Sequence, residues 1–198
     1  MKNLVFIKKF ELGMALKIGV IAPTNIKKLS KLTNKSVSFF IDKTKEIGKI
    51  LAEIDCELWV NSDKGIIFEI AKSYKKNKGK KLVVLYPGKG EPWPNIHTEP
   101  YKRYADELRK EKNWFWANYN IIALTDICIC AGLSAGVLSE LAYIKWNCQL
   151  KRGNLRKLIA IKELLRSKKL PPEIEVDIKD KLIYIKRVEQ LKKTIKNI

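Results

Sequence analysis

Residues that ligate metal ions are scarce in this sequence. Its 198 residues include one histidine, His97, and four cysteines, Cys56, Cys128, Cys130 and Cys148, and no two cysteines have the C-x-x-C spacing. Structural zinc sites combine cysteine and histidine ligands at short, regular spacings. We therefore expect no metal site, and we interpret the cysteines as buried free thiols that pack as small apolar side chains. Cys128 and Cys130 are two residues apart on a predicted strand, so their side chains should point to the same face of a sheet.

Long apolar runs are also missing. No segment approaches the roughly 20 consecutive apolar residues that a membrane-spanning helix needs. The first residues have a basic start, but their apolar stretch is short and no small-residue cleavage site follows, so we predict no secretory signal. We expect a cytoplasmic protein with no membrane partner. The length suits one α/β domain over residues 14–198, and residues 1–13 are interpreted as an N-terminal extension.

Acidic residues are few relative to basic ones. There are 40 lysines and arginines against 21 aspartates and glutamates, which gives a net charge of +19. Such an excess is compatible with nucleic-acid binding. The lysines are spread along the whole chain, however, and they outnumber the arginines whose planar side chains favour base recognition. We favour a solvated surface decorated with lysines, which would still attract phosphorylated ligands, over a nucleic-acid partner.

Short apolar runs alternate with amphipathic segments, and this pattern predicts a three-layer α/β domain with a mostly parallel sheet and helices on both faces. The predicted strands are residues 16–22, 57–60, 81–86, 127–131, 157–161 and 181–185. The predicted helices are residues 36–53, 64–77, 101–112, 117–125, 186–197 and a segment from 136 onward. We predict a polar loop at 26–35, an irregular loop at 87–100 and a turn at 147–153, and no element is assigned to 162–180. Residues 127–131 are apolar on both faces, so they should form a central strand with a neighbour on each edge.

A turn of small residues follows this central strand. Gly132 ends the apolar run, and Val137, Leu141 and Ile144 then recur at helical spacing. The start of a helix has N–H groups without partners and the positive end of a dipole, so it favours an anion such as phosphate. The candidate ligand-binding residues of the turn are Gly132, Ser134, Ala135, Gly136 and Val137. We expect the N–H groups of residues 134–137 to hold a phosphate, with the Ser134 hydroxyl adding a further bond.

Polar residues follow two other predicted strands and should reach the same edge of the sheet. The candidates are Thr24 and Asn25 after the first strand, and Asn61, Ser62 and Gly65 after the second. The carboxyl ends of parallel strands are where open α/β sheets bind ligands. Short polar side chains at such places either cap the next helix or bond to a ligand. Asp63 lies among them; its charge would repel a phosphate, and it suits a ribose hydroxyl instead.

The small-residue turn and the helix after it resemble a known signature. Residues 132–142, Gly-Leu-Ser-Ala-Gly-Val-Leu-Ser-Glu-Leu-Ala, are similar to the G-G-G-A-G-T-x-S-E-x-A signature of the SLOG superfamily of Rossmann-like proteins. That superfamily includes the lysine-decarboxylase-like phosphoribohydrolases, the molybdenum-cofactor carrier proteins and the DNA-processing proteins. The matching positions are Gly132, Ala135, Gly136, Ser139, Glu140 and Ala142. Leu133 and Ser134 replace glycines, and Val137 replaces a threonine whose hydroxyl would help to hold phosphate.

The resemblance implies a Rossmann-like domain that binds a nucleotide or a nucleotide-like phosphorylated ligand at the carboxyl edge of the sheet. The implied ligand is a nucleoside monophosphate or a phosphorylated cofactor. SLOG proteins usually carry a glycine-rich turn after the second strand, of which this chain keeps Gly65. They often have an Arg-Asn pair where this chain has Tyr119 and Asn120, so Asn120 joins the candidate ligand-binding residues.

Whether the protein is an enzyme stays open at this point. In the phosphoribohydrolases of this superfamily, an arginine at the place of Tyr119 works with the glutamate at the place of Glu140 to cleave the N-glycosidic bond of a nucleoside monophosphate. If this chain is such an enzyme, the resemblance implies that Glu140 is catalytic, and we expect it to face the sugar. The competing interpretation makes Glu140 a surface carboxylate that pairs with a lysine. A second alternative, favoured by the net charge, is a single-stranded DNA-binding module of the DNA-processing type.

Aromatic residues crowd together ahead of the central strand. They are Trp114, Phe115, Trp116 and Tyr119, with Trp93, Tyr101 and Tyr104 upstream. Such residues suit stacking on a purine base, and they are also enriched at interfaces between subunits. We favour the interface or core interpretation and expect a homodimer, as the resemblance also implies. His97 lies in the predicted loop at 87–100, where we favour a solvated side chain over a catalytic one.

Overall fold

Strands rich in apolar residues are followed by amphipathic helices through most of the chain, and the fold is built from these pairs. The computed structural model describes residues 15–88 and 94–198. The predicted extension at 1–13 lies outside the described residues, as do Trp93 and part of the predicted loop at 87–100. The rest of the chain confirms the predicted α/β domain with helices on both faces of the sheet.

The described strands form one seven-stranded sheet in which every pair of neighbours is parallel. The strands are β1 (Lys17–Ile21), β2 (Glu57–Asn61), β3 (Lys81–Pro87), β4 (Glu107–Glu111), β5 (Ile127–Cys130), β6 (Lys157–Ile161) and β7 (Leu182–Ile185). Their order across the sheet is β4-β3-β2-β1-β5-β6-β7. The chain therefore moves outward from β1 as far as β4 and resumes on the other side of β1 with β5. Open α/β sheets bind ligands at such a reversal, beside the carboxyl ends of the strands.

β5 occupies the interior position predicted for it. Ile127 is in register with Ile18 of β1 on one edge and with Lys157 of β6 on the other. All four residues of β5 are buried. Burial on both faces and pairing on both edges explain why this stretch of sequence is apolar at every position.

The helices of the described residues cover both faces of the sheet. They are α1 (Ile26–Thr33), α2 (Val37–Ala52), α3 (Ile66–Lys76), α4 (Pro94–Thr98), α5 (Trp114–Ala123), α6 (Ala135–Gln149), α7 (Pro172–Ile178) and α8 (Leu191–Lys196). One apolar cluster joins Ile18 and Val20 of β1 to helices that include α2, α3 and α8. A second joins Cys128 and Cys130 of β5 to helices that include α5, α6 and α7. Because alternate residues of a strand point to opposite faces, the two clusters are the interfaces of three layers.

The cysteines follow the predictions with one exception. Cys128 and Cys130 lie in the same apolar cluster, which confirms that they share a face of the sheet. They are buried free thiols, and so is Cys56. Cys148 is free but exposed, so the expectation that it is buried was wrong. The reason is its place near the end of α6, where the neighbouring residues Gln149 and Leu150 are exposed too.

Residues 26–35 were predicted as a loop, but most of them form helix α1. The side-chain oxygen of Asn25 caps its start by accepting a hydrogen bond from the N–H of Lys28 at 2.9 Å. Asn34 ends the helix in the left-handed conformation, with φ 55°. Leu29 is buried in the first apolar cluster. The capping asparagine and the buried leucine stabilise a helix here, although the lysine-rich composition of the segment is typical of loops.

Residues 101–112 were predicted as a surface helix, and this was also wrong. Residues 107–111 form strand β4, which pairs with β3 and places Glu107 opposite Val83. The sequence Glu-Leu-Arg-Lys-Glu has a high intrinsic helix propensity. The backbone hydrogen bonds with β3 stabilise the strand more than local propensity stabilises a helix. Residues 101–112 taken alone give no sign of this pairing, because β3 lies elsewhere in the sequence.

The remaining elements differ from the predictions mainly at their boundaries. α6 continues to Gln149, so the predicted turn at 147–153 begins later. Within the predicted loop at 87–100, residues 94–98 are helical. The unassigned stretch 162–180 contains α7, and the predicted last strand and closing helix are confirmed as β7 and α8. No helix within residues 15–88 or 94–198 is long and apolar enough to cross a lipid bilayer.

Candidate functional site

A cleft of about 750 Å³ opens at the carboxyl ends of β1, β2 and β5. We call it the main cleft. Its walls are residues 22–25, 28, 29 and 32 around the start of α1, Asp63 and Ile67 after β2, His97, Trp114 and Asn118, and residues 133–137 and 140 around the start of α6. The cleft thus lies beside the reversal of strand order between β1 and β5, and it gathers residues from segments that are distant in sequence.

The start of α6 supplies one wall of the main cleft. Ser134 is the N-cap, in an extended conformation, and its hydroxyl accepts a hydrogen bond from the N–H of Val137 at 3.3 Å. One of the N–H groups expected to hold phosphate therefore already has a partner in the protein. A Cβ built on Gly136 would meet nothing nearer than the Ser134 hydroxyl at 3.8 Å, so this position opens onto free space. The main-chain atoms of Gly136 are accordingly accessible from the cleft.

The start of α1 supplies a second wall. Thr24, the capping residue Asn25, and Lys28 in the first turn all line the main cleft. Two helix N-termini thus border one cavity, and both present the positive end of a helix dipole. Lys28 adds a full positive charge. This arrangement favours an anionic group in the cleft.

Two glycines allow the turns around the cleft to pack closely against one another. Gly132 has φ +131°, and a Cβ there would lie 2.8 Å from Cδ of Pro23. Gly65 has φ +79°, and a Cβ there would lie 2.1 Å from the carbonyl oxygen of Thr24. Neither glycine is among the residues that line the cleft. Both were candidates for ligand binding, and the structure gives each a packing reason: they let the turns after β2 and β5 rest on the turn after β1.

Glu140 lines the cleft and is almost completely buried. It is 5% exposed, and its Oε1 accepts a hydrogen bond of 2.9 Å from Nδ2 of Asn61. The same Nδ2 donates to Oδ1 of Asn118 at 3.0 Å, so Asn61 joins the end of β2 to α5 and α6. Burial raises the pKa of Glu140 well above its ordinary value, and the charge of Asp63 acts in the same direction. The competing interpretation of Glu140 as a surface carboxylate paired with a lysine was therefore wrong.

Asp63 and His97 form a second polar group in the cleft. Nδ1 of His97 lies 3.3 Å from Oδ1 of Asp63, which also accepts a hydrogen bond of 3.1 Å from the N–H of Lys64. Burial raises the pKa of Asp63, and the bonds to Lys64 and His97 oppose that rise. Tyr101 donates its hydroxyl proton to the carbonyl oxygen of Asp63. His97 is therefore not the solvated loop residue that the sequence favoured; it lines the cleft.

Several predicted site residues lie near the cleft without lining it. Asn61 sits behind Glu140. Ser62 is buried and accepts a hydrogen bond of 3.0 Å from the hydroxyl of Thr98. Asn120 donates to Oε2 of Glu111 at 2.6 Å, which places its amide at the end of β4. These side chains support the walls of the site, whereas Thr24, Asn25, Ser134–Val137 and Glu140 are brought together at the cavity itself.

The cleft is also lined by residues that were not among the predicted ligand-binding residues, and those able to bond to a ligand or stack on it include Lys28, His97, Trp114 and Asn118. Trp114 and Asn118 are one helical turn apart on α5, so one face of that helix meets the cleft. The sequence shows this spacing, but it does not show that this face of the helix points towards the cleft. In the described residues, no group of three or more histidine, cysteine, aspartate or glutamate side chains is arranged to hold a metal ion.

Comparison with known proteins finds likeness in structure rather than in sequence. No protein-family model matches the chain, and no curated protein matches it. The molybdenum cofactor carrier protein of Chlamydomonas reinhardtii is 13% identical, with a TM-score of 0.64 over 93% of this chain and 98% of that one. The molybdenum cofactor binding protein of the phototrophic bacterium Rippkaea orientalis is 15% identical, with a TM-score of 0.64 over 93% and 97%.

A third similar structure is DNA processing protein A of Helicobacter pylori, which binds single-stranded DNA. It is 13% identical, with a TM-score of 0.60 over 94% of this chain and 82% of that one. At these identities the comparisons establish the fold and leave the ligand unassigned. They confirm the Rossmann-like fold that the resemblance at residues 132–142 implied.

Proposed function

We propose that the main cleft binds a nucleotide or a nucleotide-like phosphorylated cofactor. The observation that carries this proposal is the pairing of two helix N-termini, those of α1 and α6, around one cavity that a buried carboxyl group also lines. The phosphate lies at the start of α6, where main-chain N–H groups and the hydroxyl of Ser134 meet it, and Lys28 balances its charge. The rest of the ligand extends towards Asn118 and Glu140.

The donors and acceptors in the cleft fit this class of ligand. Main-chain N–H groups and a lysine suit phosphate oxygens, while the side chains of Asp63, Asn118 and Glu140 suit the heteroatoms of a sugar or a ring. Trp114 offers an aromatic surface to a flat heterocycle. Two of the similar structures are named for binding the molybdenum cofactor. That supports a phosphorylated, pterin-like cofactor as one form of the ligand beside nucleoside monophosphates.

Gly136→Asp is expected to weaken binding of nucleoside monophosphates at least tenfold. The new side chain enters the open space beside Gly136 and sets a negative charge where the phosphate binds. Isothermal titration calorimetry with AMP, GMP, CMP and UMP measures the effect. Ser139→Asp is the matched control, because it puts the same charge on an exposed position of α6 outside the cleft. Gly136→Ala controls for the loss of glycine alone.

Two results would count against the proposed site. Equal affinity of wild type and Gly136→Asp would move the phosphate away from α6, and equal weakening by Ser139→Asp would reduce the effect to long-range charge. Failure of the wild type to bind any of the four nucleotides would remove nucleoside monophosphates as ligands.

We also propose that the protein forms a homodimer through an aromatic face on α5 and α6, which consists of Phe115, Trp116, Tyr119, Tyr143 and Trp146. Phe115, Trp116 and Trp146 are 72%, 47% and 55% exposed. The rings of Trp116, Tyr119 and Tyr143 follow one another in edge-to-face contacts of 5.6 and 5.5 Å between centroids, so the face is continuous across the two helices. Continuous exposed apolar surface of this kind is typical of an interface.

Multi-angle light scattering is expected to give twice the mass of one chain for the wild type and one chain mass for Phe115→Glu. Val176→Glu is the control, because Val176 is similarly exposed but lies on α7, outside the aromatic face. A monomeric wild type at high protein concentration would rule out the dimer. Dissociation by Val176→Glu as well as by Phe115→Glu would show that the effect is not specific to the aromatic face.

A nucleotide phosphoribohydrolase is the second candidate, and the observation in its favour is the position of Glu140 in the cleft wall. A carboxylate near the sugar stabilises the positive charge that develops when a glycosidic bond breaks. The raised pKa of Glu140 opposes that role, because it favours the neutral acid. Tyr119, at the place of the arginine of the phosphoribohydrolases, packs between Trp116 and Tyr143 on the aromatic face. Chromatography for free base after incubation with nucleoside monophosphates distinguishes the hydrolase from a carrier.

A further inference from the structure

The two oxygens of the Glu140 carboxyl group have different surroundings. Its Oε1 accepts the hydrogen bond from Asn61, and Asn61 is held in place by its second bond to Asn118. Within the described ranges, Asn61 is the hydrogen-bond partner of this carboxyl, and Glu140 lines the cleft. Oε2 is therefore the oxygen available to a ligand. An amide N–H on Oε1 leaves Oε2 as the place for a proton when the group is neutral.

Burial and the charge of Asp63 raise the pKa of Glu140 and favour that neutral form, while the hydrogen bond from Asn61 opposes them. Asp63, after β2, places a negative charge nearby, and its partner His97 lies 3.3 Å from Asp63. On β5, Cys128 and Cys130 are buried, and burial raises the pKa of Cys130 to about 12. Lys28 is exposed at the start of α1, in the same cleft. Burial without a cation bonded to it makes the charged form of a carboxyl unfavourable.

We propose that Glu140 is a specificity-determining residue that acts as a neutral hydrogen-bond donor through Oε2, and that the cleft selects ligands whose heterocycle presents an uncharged acceptor, a carbonyl oxygen or a ring nitrogen. This inference rests on the proposed function, because it assumes that the phosphate lies at the start of α6. Five residues along a helix rise about 7.5 Å, so Glu140 meets a part of the ligand well beyond the phosphate. An ionised carboxylate would instead select hydroxyl or amino donors.

If Glu140 binds the ligand as a neutral donor, the affinity of the cleft for nucleotides should fall as the pH rises. The proton of Glu140 is present below its pKa in the folded protein and is lost as the pH rises through that value, so binding should weaken as the pH rises. Phosphate loses its second proton near pH 6, so titrations between about pH 7 and pH 9.5 keep the charge of the ligand nearly constant. Variants of Glu140 keep the other residues of the cleft, so a pH dependence that they lose belongs to Glu140.

The experiment compares wild type, Glu140→Gln and Glu140→Leu by calorimetry. The probes are the nucleoside monophosphate that the wild type binds best and ribose 5-phosphate, which lacks the heterocycle. Glutamine keeps a donor of the same shape, so Glu140→Gln should bind the nucleotide within threefold of the wild type at pH 7 and lose the pH dependence. Leucine removes the donor, so Glu140→Leu should bind the nucleotide at least tenfold more weakly and ribose 5-phosphate equally well.

An infrared difference spectrum between wild type and Glu140→Gln at pH 7 tests the protonation state without a ligand. We expect the carbonyl band of a protonated carboxyl in the wild type and its loss in the variant. Absence of that band would overturn the inference and leave the proposed function standing. So would a pH dependence that persists in Glu140→Gln, or equal weakening of ribose 5-phosphate binding by Glu140→Leu. Failure of the wild type to bind any nucleotide would remove nucleoside monophosphates from the proposed function and overturn this inference with them.

Discussion

Gly65→Ala is expected to lower the free energy of unfolding by about 3 kcal/mol, a large effect for the addition of one methyl group. Gly65 precedes α3 with φ 79° and ψ −133°, a conformation that residues with a Cβ rarely adopt. A methyl group there would also lie 2.1 Å from the carbonyl oxygen of Thr24, well inside contact distance. The turn after β1 would have to move, and that turn forms one wall of the main cleft.

Gly136→Ala is the matched control for this prediction. Gly136 is the second residue of helix α6, and its added Cβ has open space with 3.8 Å to the nearest atom. The same substitution should therefore raise the free energy of unfolding by up to about 1 kcal/mol, through the better helix propensity of alanine. Urea denaturation of both variants measures the two values. Similar free energies of unfolding for the two variants would show that close packing between the turns after β1 and β2 does not restrict residue 65.

Glu140→Gln is expected to raise the free energy of unfolding by about 2 kcal/mol at pH 8, through removal of a buried group that resists ionisation. The pKa of Glu140 is above its ordinary value of 4.5 in the folded protein. At a pH between 4.5 and the higher pKa of Glu140 in the folded protein, the folded state binds more protons than the unfolded state. The wild type therefore loses stability as the pH rises from 4.5. Glutamine does not titrate. The advantage of the variant should therefore be absent at pH 4 and grow towards pH 8.

Urea denaturation at pH 4, 6 and 8 measures this difference. Glu173→Gln is the control, because Glu173 is exposed at the start of α7 and should change stability by less than about 0.5 kcal/mol at any of the three values. A stability difference for Glu140→Gln that is the same at every pH would point to packing rather than to ionisation. A lower stability of the variant at pH 8 would mean that the carboxylate is stabilised in the folded protein.

The sequence predicted those parts of the fold that local pattern determines. Residues 127–131 were recognised as a central strand because burial on both faces leaves no polar position. Strand β4 was missed because its residues, apart from Leu108, are charged and its identity depends on pairing with β3. Helix α1 was missed because its signals are one cap and one buried leucine, and most of the remaining positions are solvated lysines and small polar residues.

The same distinction applies to the site. Residues 134–137 and 140 were predicted together because they are contiguous on one turn and one helix. Lys28, Asn118 and His97 come from three other segments, and only the folded sheet brings them to the same cavity. The hydrogen-bond partner of the buried Glu140 is Asn61, which is 79 positions away along the chain. Spacing along a sequence carries no information about such a contact.

Strand β4 has a consequence for the behaviour of the protein in concentrated solution. It lies at the edge of the sheet, and four of its five residues, Glu107, Arg109, Lys110 and Glu111, are charged. An open strand edge is a template on which other chains can add strands, and charged side chains are a common protection against such growth. A second chain that paired with β4 would have to bring its own side chains beside these charges. Fibrillar aggregation from this edge of the folded protein is therefore disfavoured, even where the protein is abundant.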